Sequence, residues 1–258
     1  MVAGFTHAAL IHEALVTPLG VTVLMDDSEV IVRPGWWQIT TPSLAVGGLN
    51  EIVSDSLPED QADAILDAAI ASYRSRGIQF RWTLIPGATP ADLPARLERR
   101  GMTPAPTHVM ARVTAGPFPA IDPAIEVREV GAADVDTFTR VMAEGWATDP
   151  APLDTMHRRQ LAQTPQRTRM YLATHDGQPA GAAAAQELDH ATYLLGAVVL
   201  PAYRRRGIYP ALVHIRLADA AARGFTCATS IARAGTSAPI LARLGFETLV
   251  VLDELHDP

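Results

Sequence analysis

The chain is poor in the residues from which disulfide, zinc and nucleic-acid sites are built. Cysteine occurs once, as Cys227, which excludes an internal disulfide and a cysteine-rich zinc site. Its setting, Phe225-Thr226-Cys227-Ala228-Thr229, is that of a strand residue, so a buried and inert thiol is expected. His157, His175, His190, His214 and His256 share no metal-ligand spacing on one element, and no metal is expected. Positive charge is scarce, with 21 basic residues against 28 acidic ones, a net charge of −7 and a pI near 5.6. A nucleic-acid partner needs a basic face over many residues, and the one arginine triplet, at positions 204–206, is local. No lysine or arginine precedes Arg33, and Thr6-His7 and His12-Glu13 interrupt the apolar residues there. That start is neither a signal peptide nor a membrane span, and a cytoplasmic protein without a membrane partner is the expectation.

What is present is core-forming. A composition of 48% hydrophobic and 19% charged residues is that of a globular chain, and 258 residues make one large domain or two of ordinary size. β-rich runs are expected at 21–25, 29–33, 36–40 and 49–53, the first two joined in a hairpin by Asp26-Asp27-Ser28. A helix over 58–76, a strand at 80–84, a helix over 91–100 capped by Gly101 and a strand at 109–113 follow. Ala115-Gly116-Pro117-Phe118-Pro119 is a stiff linker without periodicity, and the domain boundary is placed there, giving domains 1–115 and 116–258. In the second half, Asp176-Gly177-Gln178-Pro179 turns a hairpin.

The most informative stretch runs from Val198 to Val213. An apolar run ends at Pro201, the basic turn Arg204-Arg205-Arg206-Gly207 follows, and from Pro210 a helical pattern continues through Val213, Leu217, Ala220 and Ala221 to Arg223-Gly224. A strand that enters a helix through such a loop aims unpaired N–H groups and the positive end of the helix dipole at one point. Gly207 lets the backbone approach a ligand closely, and the arginines supply charge at its rim. A phosphate group suits that point; an ordinary turn with solvated arginines is the plainer alternative.

Arg204-Arg205-Arg206-Gly207-Ile208-Tyr209 resembles the acyl-CoA pyrophosphate loop of the GCN5-related N-acetyltransferases (GNAT), Arg/Gln-x-x-Gly-x-Gly/Ala after a Val-x-Pro-x-Tyr-Arg strand end. Tyr209 departs from it, standing where a small residue is usual. Ser237-Ala238-Pro239-Ile240-Leu241-Ala242-Arg243-Leu244-Gly245-Phe246 resembles the family's short helix ending in Leu-Gly-Phe, with Ser237 included among the cofactor-binding positions. The halves also look like a degenerate repeat: residues 73–80 parallel 220–227, and 93–102 parallel Pro239 to Phe246. Where a phosphate loop would stand in the first half, Ser54-Asp55-Ser56-Leu57-Pro58-Glu59-Asp60 has no glycine and three carboxylates.

The resemblance implies an α/β fold of two tandem acyl-CoA N-acyltransferase (GNAT) domains with mixed central sheets flanked by helices, the first degenerate and without CoA, the second catalytic. It implies acetyl-CoA as acyl donor, with Arg204, Arg205, Arg206, Gly207, Ile208 and Tyr209 at the pyrophosphate. Ala197, Val198 and Val199 would pair with the pantetheine arm, the Ala197 N–H donating to the thioester oxygen. Many members carry a catalytic glutamate where this chain has Tyr193, a phenol that is a poor base at neutral pH but can donate or anchor a water chain. Glu187 is the other candidate base, and Gln186 and Glu187 lie on opposite faces of their strand. A tyrosine that often serves as general acid is here Leu241. Glu144 and Trp146, in an expected loop at 144–150, could grip a cationic amine. The implied activity is N-acetylation of a small-molecule amine, with peptide or protein acetylation as a further alternative. A non-catalytic CoA sensor or partner-binding module is the rival class, and a homodimer is left open.

Overall fold

The structure is a computed structural model that describes residues 1–45 and 49–258. In chain order its elements are α1 (His7–Leu15), α2 (Thr17–Val21), β1 (Glu29–Arg33), β2 (Trp36–Thr40), β3 (Glu51–Ser56), α3 (Ala62–Arg74), β4 (Arg81–Thr89), α4 (Leu93–Glu98), β5 (Thr103–Pro104) and β6 (Thr107–Val113). There follow β7 (Ile125–Glu129), α5 (Val135–Trp146), α6 (Pro150–Ala162), β8 (Thr168–His175), β9 (Gln178–Glu187), β10 (Thr192–Val199), α7 (Ile208–Ala222), β11 (Cys227–Arg233), α8 (Ser237–Arg243) and β12 (Glu247–His256). Among the described residues no helix is long and apolar enough to cross a membrane.

The chain divides into two compact units, and the division differs from the one the linker suggests. The larger unit is Met1–Val23, Val109–Ala232 and Thr236–Leu249; the smaller is Leu24–His108, Arg233–Gly235 and Val250–Pro258. The opening residues therefore belong with the second half. The reason is a buried acid: Glu13 accepts the backbone N–H groups of His190 (2.7 Å) and Ala191 (3.2 Å) in the turn between β9 and β10, and the Thr17 hydroxyl at 3.3 Å. Val2 and Leu10 pack with Ala111, Ala191 and Cys227 in one apolar cluster.

The smaller unit is a sheet in the order β1-β2-β3-β4 followed by the end of β12, with β5 beside it. β1, β2 and β3 are antiparallel neighbours, and β3 pairs with β4 in parallel through the crossover helix α3. Leu66, Ile70 and Tyr73 recur at helical spacing on α3 and bury against Ile52, Trp82, Leu84 and Leu255 of the sheet. The hairpin forms at Pro34-Gly35 and not at Asp26–Ser28. Val21 ends α2 instead of starting a strand, because Pro18 sits in the first turn of that helix and the Thr22 hydroxyl donates back to the Pro18 carbonyl at 2.7 Å.

In the larger unit β7, β8, β9 and β10 are successive antiparallel strands, and β11 adds in parallel to β10. Helix α7 covers one face with Leu212, Val213 and Leu217 against Ala183, Ala185 and Leu194. Helix α5 packs on β9 and β10, and α6 on β8. Close approach on both sides needs the absence of side chains: a Cβ at Gly181 would lie 2.9 Å from Ile208 Cγ2, and one at Gly145 would lie 1.9 Å from Val198 Cγ1.

Cys227 is fully buried and its thiol is pushed up to about 11, first by desolvation and then by the nearby Glu13 carboxylate. It should resist a thiol reagent at pH 8 in the whole protein and react readily once residues 1–23 are removed. Equal labelling of the two proteins would show that the opening residues do not cover the larger unit.

Candidate active site

The site begins where two parallel strands stop pairing. Among the described residues β10 and β11 share two register pairs, Thr192 with Ala228 and Tyr193 with Thr229, and none beyond. Past Tyr193 the Ser230 hydroxyl reaches across, donating to the Leu194 carbonyl at 2.9 Å. The other edge of β10 stays paired to β9 as far as Val199 opposite Gly181. Among the described residues one edge of β10 from Leu195 onward thus has no strand paired to it, a slot into which an extended molecule can add as a strand does.

A bulge shapes that edge. Leu195 opposes Ala184 and Ala197 opposes Ala183, so Gly196 is extra, with φ +45° in the left-handed region that favours glycine. The Trp146 ring lies against it, with Cη2 3.4 Å and Cζ2 3.5 Å from where a Cβ would stand. Trp146 ends α5, so the expected loop at 144–150 is shorter than expected, and Asp149 serves as the cap of α6 by accepting the Ala151 N–H at 2.9 Å. Glu144 is exposed.

At the far end of β10 the chain makes one 3₁₀ turn over Pro201–Tyr203 and enters α7 through Gly207, whose φ of +82° makes it a left-handed N-cap. Among the described residues the N–H groups of Arg206, Gly207, Ile208 and Tyr209 make no hydrogen bond, and Pro210 has none to give. They converge with the positive end of a 15-residue helix. Arg204, Arg205 and Arg206 are exposed. Among the described residues none of the three pairs with a carboxylate, whereas Arg96, Arg100, Arg158, Arg169 and Arg223 each hold at least two. Arg206 stands over the Tyr203 ring at 5.8 Å, and Arg204 Nε donates to the Val199 carbonyl at 3.4 Å. Unsatisfied donors and uncompensated cations at one point are what a pyrophosphate requires.

The register separates the two candidate bases. Tyr193 pairs with Gln186, so these share a face, and Glu187 pairs with Thr192 on the face of α7. There Glu187 is ion-paired to Arg169 at 3.3 Å and Arg223 at 3.6 Å. Glu187 therefore stands on the opposite face of β9 from the Tyr193 row, its carboxylate engaged by two guanidinium groups. Leu241 is fully buried beside Phe246 in the α7 core, so no phenol is supplied there. Tyr209 is half-buried against the same core, its hydroxyl pKa raised by desolvation. Ser237 stands half-buried in the first turn of α8. Two further polar groups, Thr168 and Thr229, escaped sequence reasoning: they lie in one row with Gln186 and Tyr193 across β8 to β11, and among the described residues Thr168, Gln186 and Thr229 each have a buried oxygen without a hydrogen-bond partner. Only strand register could have revealed that row.

The smaller unit repeats the plan without the slot. β3 and β4, which correspond to β10 and β11, keep four consecutive parallel pairs from Glu51–Arg81 to Ser54–Leu84. In its connection the N–H groups of Asp55 and Ser56 donate to the Gly35 carbonyl and that of Leu57 to Thr89. Glu59 and Asp63 pair with Arg96 of α4.

Residues 135–246 match the sequence model of the acetyltransferase (GNAT) family. No curated protein matches the sequence. Among solved structures, a GCN5-related N-acetyltransferase from Kribbella flavida is similar at 21% identity and a TM-score of 0.68, over 97% of this chain and 95% of that one. One from Sphaerobacter thermophilus shares 16% identity with a TM-score of 0.56, over 91% and 81%. A tandem GNAT protein from the clavulanic acid biosynthesis pathway shares 12% identity with a TM-score of 0.54, over 100% and 96%. At these identities the likeness shows the fold alone.

Gly207→Glu should abolish CoA binding, since a carboxylate would stand where the N–H groups converge. Gly207→Ala is the control: its Cβ would meet Ile125 Cδ1 at an ordinary 3.6 Å, and the positive φ costs roughly 1–2 kcal/mol of stability. Calorimetry showing unchanged CoA affinity in Gly207→Glu would remove the loop from the site.

Proposed function

We propose that the chain, whose residues 135–246 match the acetyltransferase (GNAT) family model, is an acyltransferase that transfers an acetyl group from acetyl-CoA to a primary amine of a small molecule. The observation that carries this reading is the slot of unpaired backbone along β10, which opens at Tyr193 and leads to the free N–H groups before α7. Acetyl-CoA supplies an activated thioester. The loop residues Arg204, Arg205, Arg206, Gly207, Ile208 and Tyr209 hold its pyrophosphate, and the edge of β10 through Ala197, Val198 and Val199 aligns its pantetheine arm. Binding along a rigid strand fixes the reacting carbon in place, the entropic part of catalysis.

The acceptor is read from the other side of the slot. Trp146 lies against Gly196 with its ring at the bulge, and an aromatic face there attracts a cationic amine. Glu144, exposed at the end of the same helix, adds a counter-charge. Tyr193 is half-buried at the mouth of the slot and acts on the proton, by holding the water that takes it from the amine or by donating to the departing thiolate. The smaller unit binds no CoA, which its intact β3–β4 pairing and internally bonded connection support. One CoA per chain follows.

The chain contains no lysine, so acetyl groups incorporated in an assay report the added acceptor and not self-modification of side-chain amines. A panel of small primary amines with acetyl-CoA, followed by release of free thiol, should give turnover. Tight CoA binding without turnover on any amine or peptide would favour a sensor instead, a reading supported by Leu241 in place of a phenol and by the pairing of Glu187. Tyr193→Phe should lower kcat by about 10²–10⁴ with little change in the KM for acetyl-CoA, the range of general acid–base groups. Full activity across pH would make Tyr193 a packing residue.

A further inference from the structure

Arg216, midway along α7, is 2% exposed, and among the described residues no carboxylate pairs with it. The nearest acid on its own helix, Asp219, is engaged by the Tyr171 hydroxyl at 2.5 Å and by Arg223 at 3.0 Å. Leaving a guanidinium uncompensated in a core is costly, and burial drives its pKa down from the usual value. Its hydrogen bonds show what it serves. Nε donates to Leu212 one turn back at 3.0 Å, and Nη1 donates to the carbonyls of Ala184 (2.9 Å) and Leu195 (3.5 Å). Ala184 and Leu195 are the register pair immediately before the bulge at Gly196.

The orientation of the next peptide follows. In a trans peptide the C=O and N–H point opposite ways, and the 195–196 bond is trans. The Leu194 carbonyl faces β11, where it accepts from Ser230; by strand alternation the Leu195 carbonyl faces β9 and Arg216. The Gly196 N–H is thereby aimed into the slot, past the last β10–β11 pair. We propose that Arg216 is a positioning residue for acyl transfer, its guanidinium orienting and polarising the Leu195–Gly196 peptide so that the Gly196 N–H becomes the donor to the thioester oxygen. A cation on the carbonyl of a peptide strengthens the N–H of the same unit, and it does so here without touching the acyl donor. This assigns to Gly196 the donor role that sequence resemblance gives to Ala197. It rests on the acetyltransferase reading.

The test is the carbonyl stretch of acetyl-CoA labelled with ¹³C at its thioester carbon, measured by infrared difference spectroscopy while bound to the whole protein. Bound to the native protein it should move to lower frequency than in water. Arg216→Gln, which keeps donors but not charge, should lose most of that downshift and about tenfold to a hundredfold in kcat, short of the 10²–10³ typical for removal of an entire oxyanion donor. CoA affinity and the KM for the amine should stay within about threefold. Arg216→Lys, which keeps the charge on a single ammonium, should recover part of both losses, and it carries the test should Arg216→Gln not fold. A role confined to packing would change stability and CoA affinity while leaving the frequency of the bound carbonyl alone, and that result would overturn the proposal. So would an unshifted carbonyl in the native protein. Failure of acetyl-CoA to bind the native protein at all is a different outcome, which would sink the acetyltransferase reading and this inference with it.

Discussion

The larger unit depends on an interruption in one pair of strands. β10 and β11 begin as ordinary parallel neighbours and separate after Tyr193, which exposes backbone donors and acceptors that a closed sheet would satisfy internally. Unpaired backbone is costly when buried, so the surroundings hold it open by specific means. Ser230 takes up the Leu194 carbonyl, Arg216 takes up those of Leu195 and Ala184, and Gly196 absorbs the extra residue with a left-handed φ. Glycine at 181 and 145 lets helices close on both faces of the same strands. The slot is therefore a maintained departure from regular pairing, and the loop before α7 lies at its end.

The smaller unit is an internal contrast. It has the same succession of strand, connection, helix, strand and short helix, with β3 and β4 in place of β10 and β11. There the strands remain paired, the connection spends its N–H groups on Gly35 and Thr89, and the acids near α3 are matched to arginines of α4. A ligand would have to displace existing hydrogen bonds and ion pairs. The same plan thus gives a closed strand pair in one unit and an open strand edge in the other, and the difference lies in which donors are already spent.

Charge follows the same logic. All of the chain's 21 basic residues are arginine. Several are consumed in ion pairs on helix faces and strand edges, where exposed pairs contribute little individually. Arg112 is nearly buried and donates to the carbonyls of Leu244 and Val113 while standing over the Phe118 ring at 4.8 Å. Arg216 is turned toward carbonyls in the same way. The triplet at 204–206 combines adjacency, exposure and, among the described residues, lack of acidic partners, and it sits beside N–H groups that are likewise unbonded there.

Local signals that carry their own physics were legible in the sequence. The loop Arg204–Tyr209, with its glycine cap and proline in the first helical turn, depends on neighbours in the chain, as do α3, α7 and the glycine ends at Gly101 and Gly224. The tandem plan was legible too, because a repeat leaves its trace in order and spacing. What needed the fold was everything decided across strands or between distant segments. Gln186 and Glu187 are adjacent residues, and only pairing with β10 shows that one shares the face of Tyr193 while the other is locked between Arg169 and Arg223. The return of residues 1–23 to the larger unit turns on Glu13 meeting two amides at 190 and 191, a contact with no sequence period. Arg216 carries no signal of its own in the sequence, and its partners, the carbonyls of Ala184 and Leu195, are set by the strands beneath it. Periodicity reports which side of an element is buried; what it is buried against is set by contacts far apart in the chain.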